Sequence, residues 1–96
     1  MSRAPAPGAT APPRRLDPEQ QRWLTSNPLW KWRIANAREA REVEDMLGVP
    51  RGRVQGWETG AAAPGGAEIR KLARLTGIAD LAAQWSAWMS ARPPSR

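Results

Sequence analysis

The sequence predicts an all-α fold, a small bundle of five or six helices. Strand signals are absent: Val and Ile are few, and no run alternates apolar with polar residues. Helix punctuation is dense, with Asp, Pro and Gly standing where caps and stops belong. All six aromatic residues are Trp, at 23, 30, 32, 57, 85 and 88, and in so short a chain they must supply much of the core.

The first helix starts at Asp17-Pro18-Glu19, since Asp caps well, Pro suits the first helical position and Glu favours the first turn. It runs to about Thr25 with Trp23 and Leu24 as its apolar face, and stops before Asn27-Pro28. A second helix covers Pro28 to Asn36, with Leu29, Trp32 and either Trp30 or Ile34 facing inward. The third spans about Glu39 to Leu47, with Val43, Met46 and Leu47 at i, i+3, i+4 and Gly48 as a left-handed C-cap. The join between these two is weakly marked, because residues 35–42 also suit one unbroken helix. The fourth helix covers about Arg51 to Thr59, with Val54, Trp57 and Glu58 inward and Gly60 closing it. Residues 61–66 form a loop by their Pro-Gly-Gly. The fifth spans about Ala67 to Thr76, burying Ile69, Leu72, Ala73 and Leu75. The sixth spans about Ala79 to Ala91, with the stripe Leu81, Trp85, Trp88 and Met89 at i, i+4, i+7, i+8.

The chain has 96 residues and a formal net charge of +6, with neither Cys nor His. That excludes a disulfide scaffold and a Cys/His zinc site, and it removes the side chains most used for nucleophilic and general-base chemistry. A hydrolase built on carboxylates alone stays open, but nothing points to catalysis, a metal or a cofactor. No apolar run of membrane-spanning length exists, and the N-terminus lacks the apolar block of a secretory signal. The expectation is a cytoplasmic protein with an anionic partner. Residues 1–16 hold little to bury and are expected to form a disordered, basic, Pro/Ala-rich arm. The helical domain then covers 17–91, and 92–96 form a flexible tail.

The informative stretch is Val43 to Gly60. Two short helices flank Gly48-Val49-Pro50. Gly48 lets the backbone reverse, Val49 fills the elbow, and Val54 and Trp57 dock the second helix on the first. The outer face of the second helix then carries Arg51, Gly52, Arg53, Gln55 and Gly56. Arg suits guanine O6/N7 and Gln suits adenine N6/N7, each by paired hydrogen bonds in a major groove.

This stretch resembles the Cro/repressor-type helix-turn-helix family, also called the xenobiotic-response-element (XRE) family. The matching residues are Gly48-Val49, Pro50-Arg51-Gly52-Arg53, Val54, Trp57-Glu58-Thr59-Gly60 and Pro64, then Leu72 to Ile78 downstream and Trp32-Arg33 upstream, spanning about 28–78. The resemblance implies a lambda-repressor-like bundle with a helix-turn-helix at about 39–60. It implies a DNA-binding transcriptional regulator of the small phage-repressor or bacterial kind, bound to double-stranded DNA. The helix at 51–59 would lie in the major groove, with its backbone N–H groups holding a phosphate and Arg51, Arg53 and Gln55 reading bases. Arg41 joins Gly52 and Gly56 in the candidate contact set. The resemblance also implies a partly buried ion pair between Arg33 and Glu58.

Several residues depart from the family pattern. Ala40 stands where a phosphate-contacting Gln is usual, and Asn36 and Arg38 stand where an apolar residue is usual. Glu44 stands where a small Ala lets the two motif helices touch, which implies either a wider crossing or a shifted register. Two glycines, Gly52 and Gly56, weaken the reading helix by about 1 kcal/mol each relative to Ala. Glu39, Glu42, Glu44 and Asp45 make the first motif helix acidic, with Arg41 the sole cation among them. These departures favour an alternative, a protein-interaction module such as an antitoxin or a phage factor bound to a host enzyme like RNA polymerase. A nucleic-acid-packaging adaptor is a third use of the fold. A homodimer is expected, with Trp85, Trp88 and Met89 as candidate dimer face. The alternation Trp30-Lys31-Trp32-Arg33 also suits membrane-active or single-strand-binding peptides, although Trp as core is the stronger reading.

Overall fold

The computed structural model describes residues 17–94; the arm at 1–16, with Arg3, Arg14 and Arg15, lies outside them. Six helices follow in order: α1 (Pro18–Thr25), α2 (Pro28–Ala35), α3 (Ala40–Leu47), α4 (Arg53–Thr59), α5 (Gly66–Thr76) and α6 (Leu81–Ser90). No strand occurs among the described residues, and no helix there is long and apolar enough to cross a membrane.

Local chemistry sets the breaks. Pro18 and Pro28 open α1 and α2, where a missing N–H costs nothing. The fully buried Asn27 caps α2, its Oδ1 accepting from the Trp30 N–H at 2.9 Å. The ambiguous join at 35–42 is a real break. Asn36 closes α2, Ala37 takes a left-handed φ of 53°, and the chain re-enters a helix at Ala40. Arg38 stabilises this corner by donating its N–H to the Arg33 carbonyl at 2.9 Å. At the start of α3 the Glu42 side chain accepts from the Glu39 N–H at 2.8 Å.

The core lies where α3 packs on α4, and where α5 packs against α2, α3 and α6. Leu29, Val43, Val54, Leu72 and Leu81 are fully buried, and Trp57 is nearly so. Two expected core residues are outside it. Met46 is 48% exposed and Ile34 is 56% exposed. The packed side of α3 is Val43, Glu44 and Leu47, so the helix is rotated from the Val43–Met46–Leu47 face by about one position. Trp30 is half-buried and stands apart from the core cluster, whereas Trp32 packs against it.

The first and last helices are joined by a tryptophan clasp. Trp23 and Trp88 stack with ring centroids 4.1 Å apart and planes 3° from parallel. Each indole Nε1 donates to the other residue's backbone carbonyl, both at 2.6 Å. Trp85 meets Trp88 edge-on at 5.8 Å. Of the expected dimer face at Trp85, Trp88 and Met89, this takes up the two tryptophans within the single chain and leaves Met89 half-buried. Trp85 and Trp88 are 3% and 4% exposed within the single chain, and Met89 packs against the same cluster. Their rings are consumed internally because α1 brings Trp23 to the stripe. Arg92, placed in the tail by composition, continues the clasp: its guanidinium lies 5.1 Å from the Trp23 ring centroid and donates to the Gly60 carbonyl at 3.1 Å.

Trp23→Ala removes a stacked indole and its hydrogen bond to the Trp88 carbonyl, so unfolding free energy should fall by about 3–5 kcal/mol. Trp30→Ala, at a half-exposed site, should cost well under half of that. Chemical denaturation of the two variants checks the contrast, and equal losses would remove the clasp from the account of stability.

Candidate nucleic-acid interface

The motif turn is built from two left-handed glycines. Gly48 ends α3 at φ 70°, and Gly52 caps α4 at φ 85°. Both conformations are open to glycine at little cost. The reading helix therefore starts two residues later than expected. Arg51 and Gly52 belong to the turn, and α4 itself runs from Arg53 to Thr59. Val54, Trp57 and Glu58 point into the body, while Arg53 and Gln55 are exposed and Gly56 is half-buried.

Glu44 explains the displaced start. It is only 3% exposed, and its Oε2 accepts from the Val54 N–H at 3.1 Å. The carboxylate thus crosses from α3 to the first turn of α4, where Gly52 offers no capping side chain. The register assumed from the sequence is retained; the crossing accommodates a glutamate because its acceptor is used. The expected role of this helix end, backbone N–H groups holding a phosphate, does not extend to Val54, whose donor is already taken. The signal was present in the sequence as a glutamate where a small residue is usual, nine residues before the start of a helix whose cap is not Ser, Thr, Asp or Asn.

The other end of α4 is tied by the ion pair expected from the resemblance. Arg33 Nε and Nη2 donate to the two Glu58 carboxylate oxygens, each at 2.7 Å, with side chains 13% and 8% exposed. Arg33 Nη1 also donates to the Arg38 carbonyl at 3.0 Å, so one guanidinium braces both α4 and the α2–α3 corner. The Glu58 hydrogen bond raises the Arg33 pKa above its ordinary value, with attraction between the charges adding to it and burial opposing it. A raised pKa on a cation means that its stabilisation is complete below arginine's ordinary range and is lost only as pH rises through the folded value, so Arg33 stays charged at neutrality. Gly60, at φ 79°, is the point where the clasp meets α4. A Cβ there would lie 2.7 Å from the Trp23 ring, so no side chain fits.

The candidate contact residues other than Gly56 are exposed, and three of them already face carboxylates. Arg51 lies 3.9 Å from Asp45, Arg53 lies 3.4 Å from Glu68, and Arg41 lies 3.8 Å from Glu39. Glu68, on α5, was not singled out from the sequence. Exposed pairs of this kind contribute about 0.2–1 kcal/mol each, so their arginines remain exchangeable toward an anionic partner. Gln55 borders an open groove of about 360 Å³ together with Trp30, Ala40 and Thr59, with the Arg33–Glu58 pair also lining it. Among the described residues, no group of three His, Cys, Asp or Glu is placed to hold a metal.

A helix-turn-helix family model, of the XRE type, matches residues 31–81. The chain belongs to that family, a family of DNA-binding proteins. No curated protein and no solved structure matches it. The matched region begins within α2 at Lys31, runs through α3, α4 and α5 and ends at the first residue of α6, so α1 and nearly all of α6, the two halves of the clasp, lie outside it.

Glu58→Ala leaves a guanidinium largely buried without its partner and should destabilise the fold by about 3–5 kcal/mol. Thermal melts against the native chain test this, and an unchanged Tm would show that the pair holds nothing together.

Proposed function

We propose that this protein is a sequence-specific DNA-binding transcriptional regulator, and that α4 and the turn before it enter the major groove. The observation that carries the proposal is the division of α4: Val54, Trp57 and Glu58 fix it to the body, while Arg53 and Gln55, with Arg51 beside them, project outward. Arg51 and Arg53 suit guanine and Gln55 suits adenine. Arg41, exposed on α3, would contact a phosphate. A homodimer would set two such helices about 34 Å apart on a palindromic site.

Glycine at 56 fits this reading. A Cβ built there would meet nothing within 4 Å, so the protein's own packing does not require glycine at that point. Glycine there would let DNA approach the helix backbone closely.

A second reading is favoured by one surface. The outer side of α3 presents Glu39, Asp45 and the exposed Met46 beside Arg41, a mixed acidic and apolar face rather than a uniformly basic one. That face suits a protein partner such as RNA polymerase, on its own or beside bound DNA.

Selection of bound sequences from random DNA should return a preferred site. Affinity for it should fall with salt at a log–log slope of about −0.9 per phosphate contacted. Arg53→Ala should cost about 1–3 kcal/mol on that site and little on random DNA; equal loss on both would reduce Arg53 to a phosphate contact. Gly56→Ala should raise unfolding free energy by about 1 kcal/mol. It should also weaken binding to the selected site. A variant both more stable and equally tight would place Gly56 away from DNA.

A further inference from the structure

The reading helix has seven residues and a glycine for its N-cap, with no side-chain capping bond of its own. Its first turn is held from outside, by the Glu44 carboxylate on the Val54 N–H. A buried carboxylate is costly unless hydrogen-bonded or paired. Among the described ion pairs, Glu44 has no cationic partner at all. A small residue would pack between α3 and α4 without that cost, so the glutamate contributes something that packing alone does not: a directional bond across the motif.

We infer that Glu44 is the positioning residue of the reading helix, fixing the amino end of α4 and with it the aim of Arg53 and Gln55, which flank the anchored N–H. The inference rests on the DNA-reading function proposed above. Paired hydrogen bonds to a base edge tolerate little angular error, because such bonds weaken steeply away from linearity. Contacts to phosphates are less demanding, since the charge is spread over several oxygens along the whole strand. Loss of the anchor therefore lowers discrimination between DNA sequences more than it lowers attraction to DNA in general. The opposite end of α4 stays tied by Arg33 and Glu58, and Val54 and Trp57 stay in the core, so the helix pivots rather than unfolds.

The test compares the native chain with Glu44→Gln, which keeps an acceptor oxygen, and Glu44→Ala, which does not. Affinities for the selected site and for random DNA are measured well below the lowest Tm of the three. The ratio of the two affinities should fall about ten-fold in Glu44→Ala, the magnitude of one lost cap. It should stay within about two-fold in Glu44→Gln, as expected if acceptor geometry rather than charge positions the helix. Amide exchange gives a readout independent of DNA: Val54 should lose protection relative to Trp57 in Glu44→Ala and keep it in Glu44→Gln. An unchanged ratio in Glu44→Ala, equal loss on both DNAs, failure of Glu44→Gln to rescue, or undiminished Val54 protection in Glu44→Ala overturns the inference while the DNA-reading proposal stands. A native chain with no preferred sequence overturns both.

Discussion

A helix of seven residues, glycine at its cap and another glycine in its second turn, has too few hydrogen bonds to hold its shape alone in water. The helix that makes this protein a member of its family is of that kind. Its geometry must come from its surroundings, and the rest of the fold is arranged to supply it. Glu44 reaches from α3 to its amino end, Arg33 reaches from α2 to Glu58 near its carboxyl end, and Trp23 and Arg92 close on Gly60 just beyond it. Val54 and Trp57 add the apolar attachment between these points. Each tie comes from a different element, so the orientation of α4 reports on the integrity of the whole bundle.

The charges divide into two populations with different physics. Arg33, Glu44 and Glu58 are largely removed from water; Arg33 and Glu58 share two hydrogen bonds of 2.7 Å, and Glu44 accepts one at 3.1 Å from the Val54 N–H. Removing one partner leaves a desolvated group behind, which makes these residues structural. Arg41, Arg51 and Arg53 face carboxylates in solvent at 3.4–3.9 Å, where screening leaves little attraction to lose. Between residues 17 and 94 there are eleven Lys/Arg and nine Asp/Glu, so most of the chain's positive surplus lies in the residues outside. A domain this close to neutral depends on where its cations stand rather than on how many there are.

The clasp accounts for three of the chain's six tryptophans. The family-matched segment alone leaves α2, α5 and the motif with an open flank, and α1 and α6 cover it with three buried indoles, Trp23, Trp85 and Trp88. Reciprocal indole–carbonyl bonds satisfy the N–H groups of Trp23 and Trp88, at residues 65 apart in sequence, whereas the buried Trp85 Nε1 has no protein partner among the described residues. Joining α1 to α6 gives a small domain a long-range constraint without a disulfide. The Trp23 ring also fills the space above Gly60, so the clasp contributes to the reading helix as well as to stability.

The sequence by itself determined the helices, their approximate ends, the turn at Gly48 and the inward set Val54, Trp57 and Glu58, because caps, prolines and apolar spacing act within a few residues of where they are written. It also carried the Arg33–Glu58 pair, through a family resemblance that fixes both positions at once. Only the tertiary structure decided that Glu44 is an anchor rather than an obstacle, that Met46 faces solvent, that Arg53 stands beside Glu68, and that Trp88 is spent on Trp23 instead of a second copy. Each of these depends on which residue of a distant helix arrives opposite, and that is set by the packing of the assembled bundle, which no local pattern encodes.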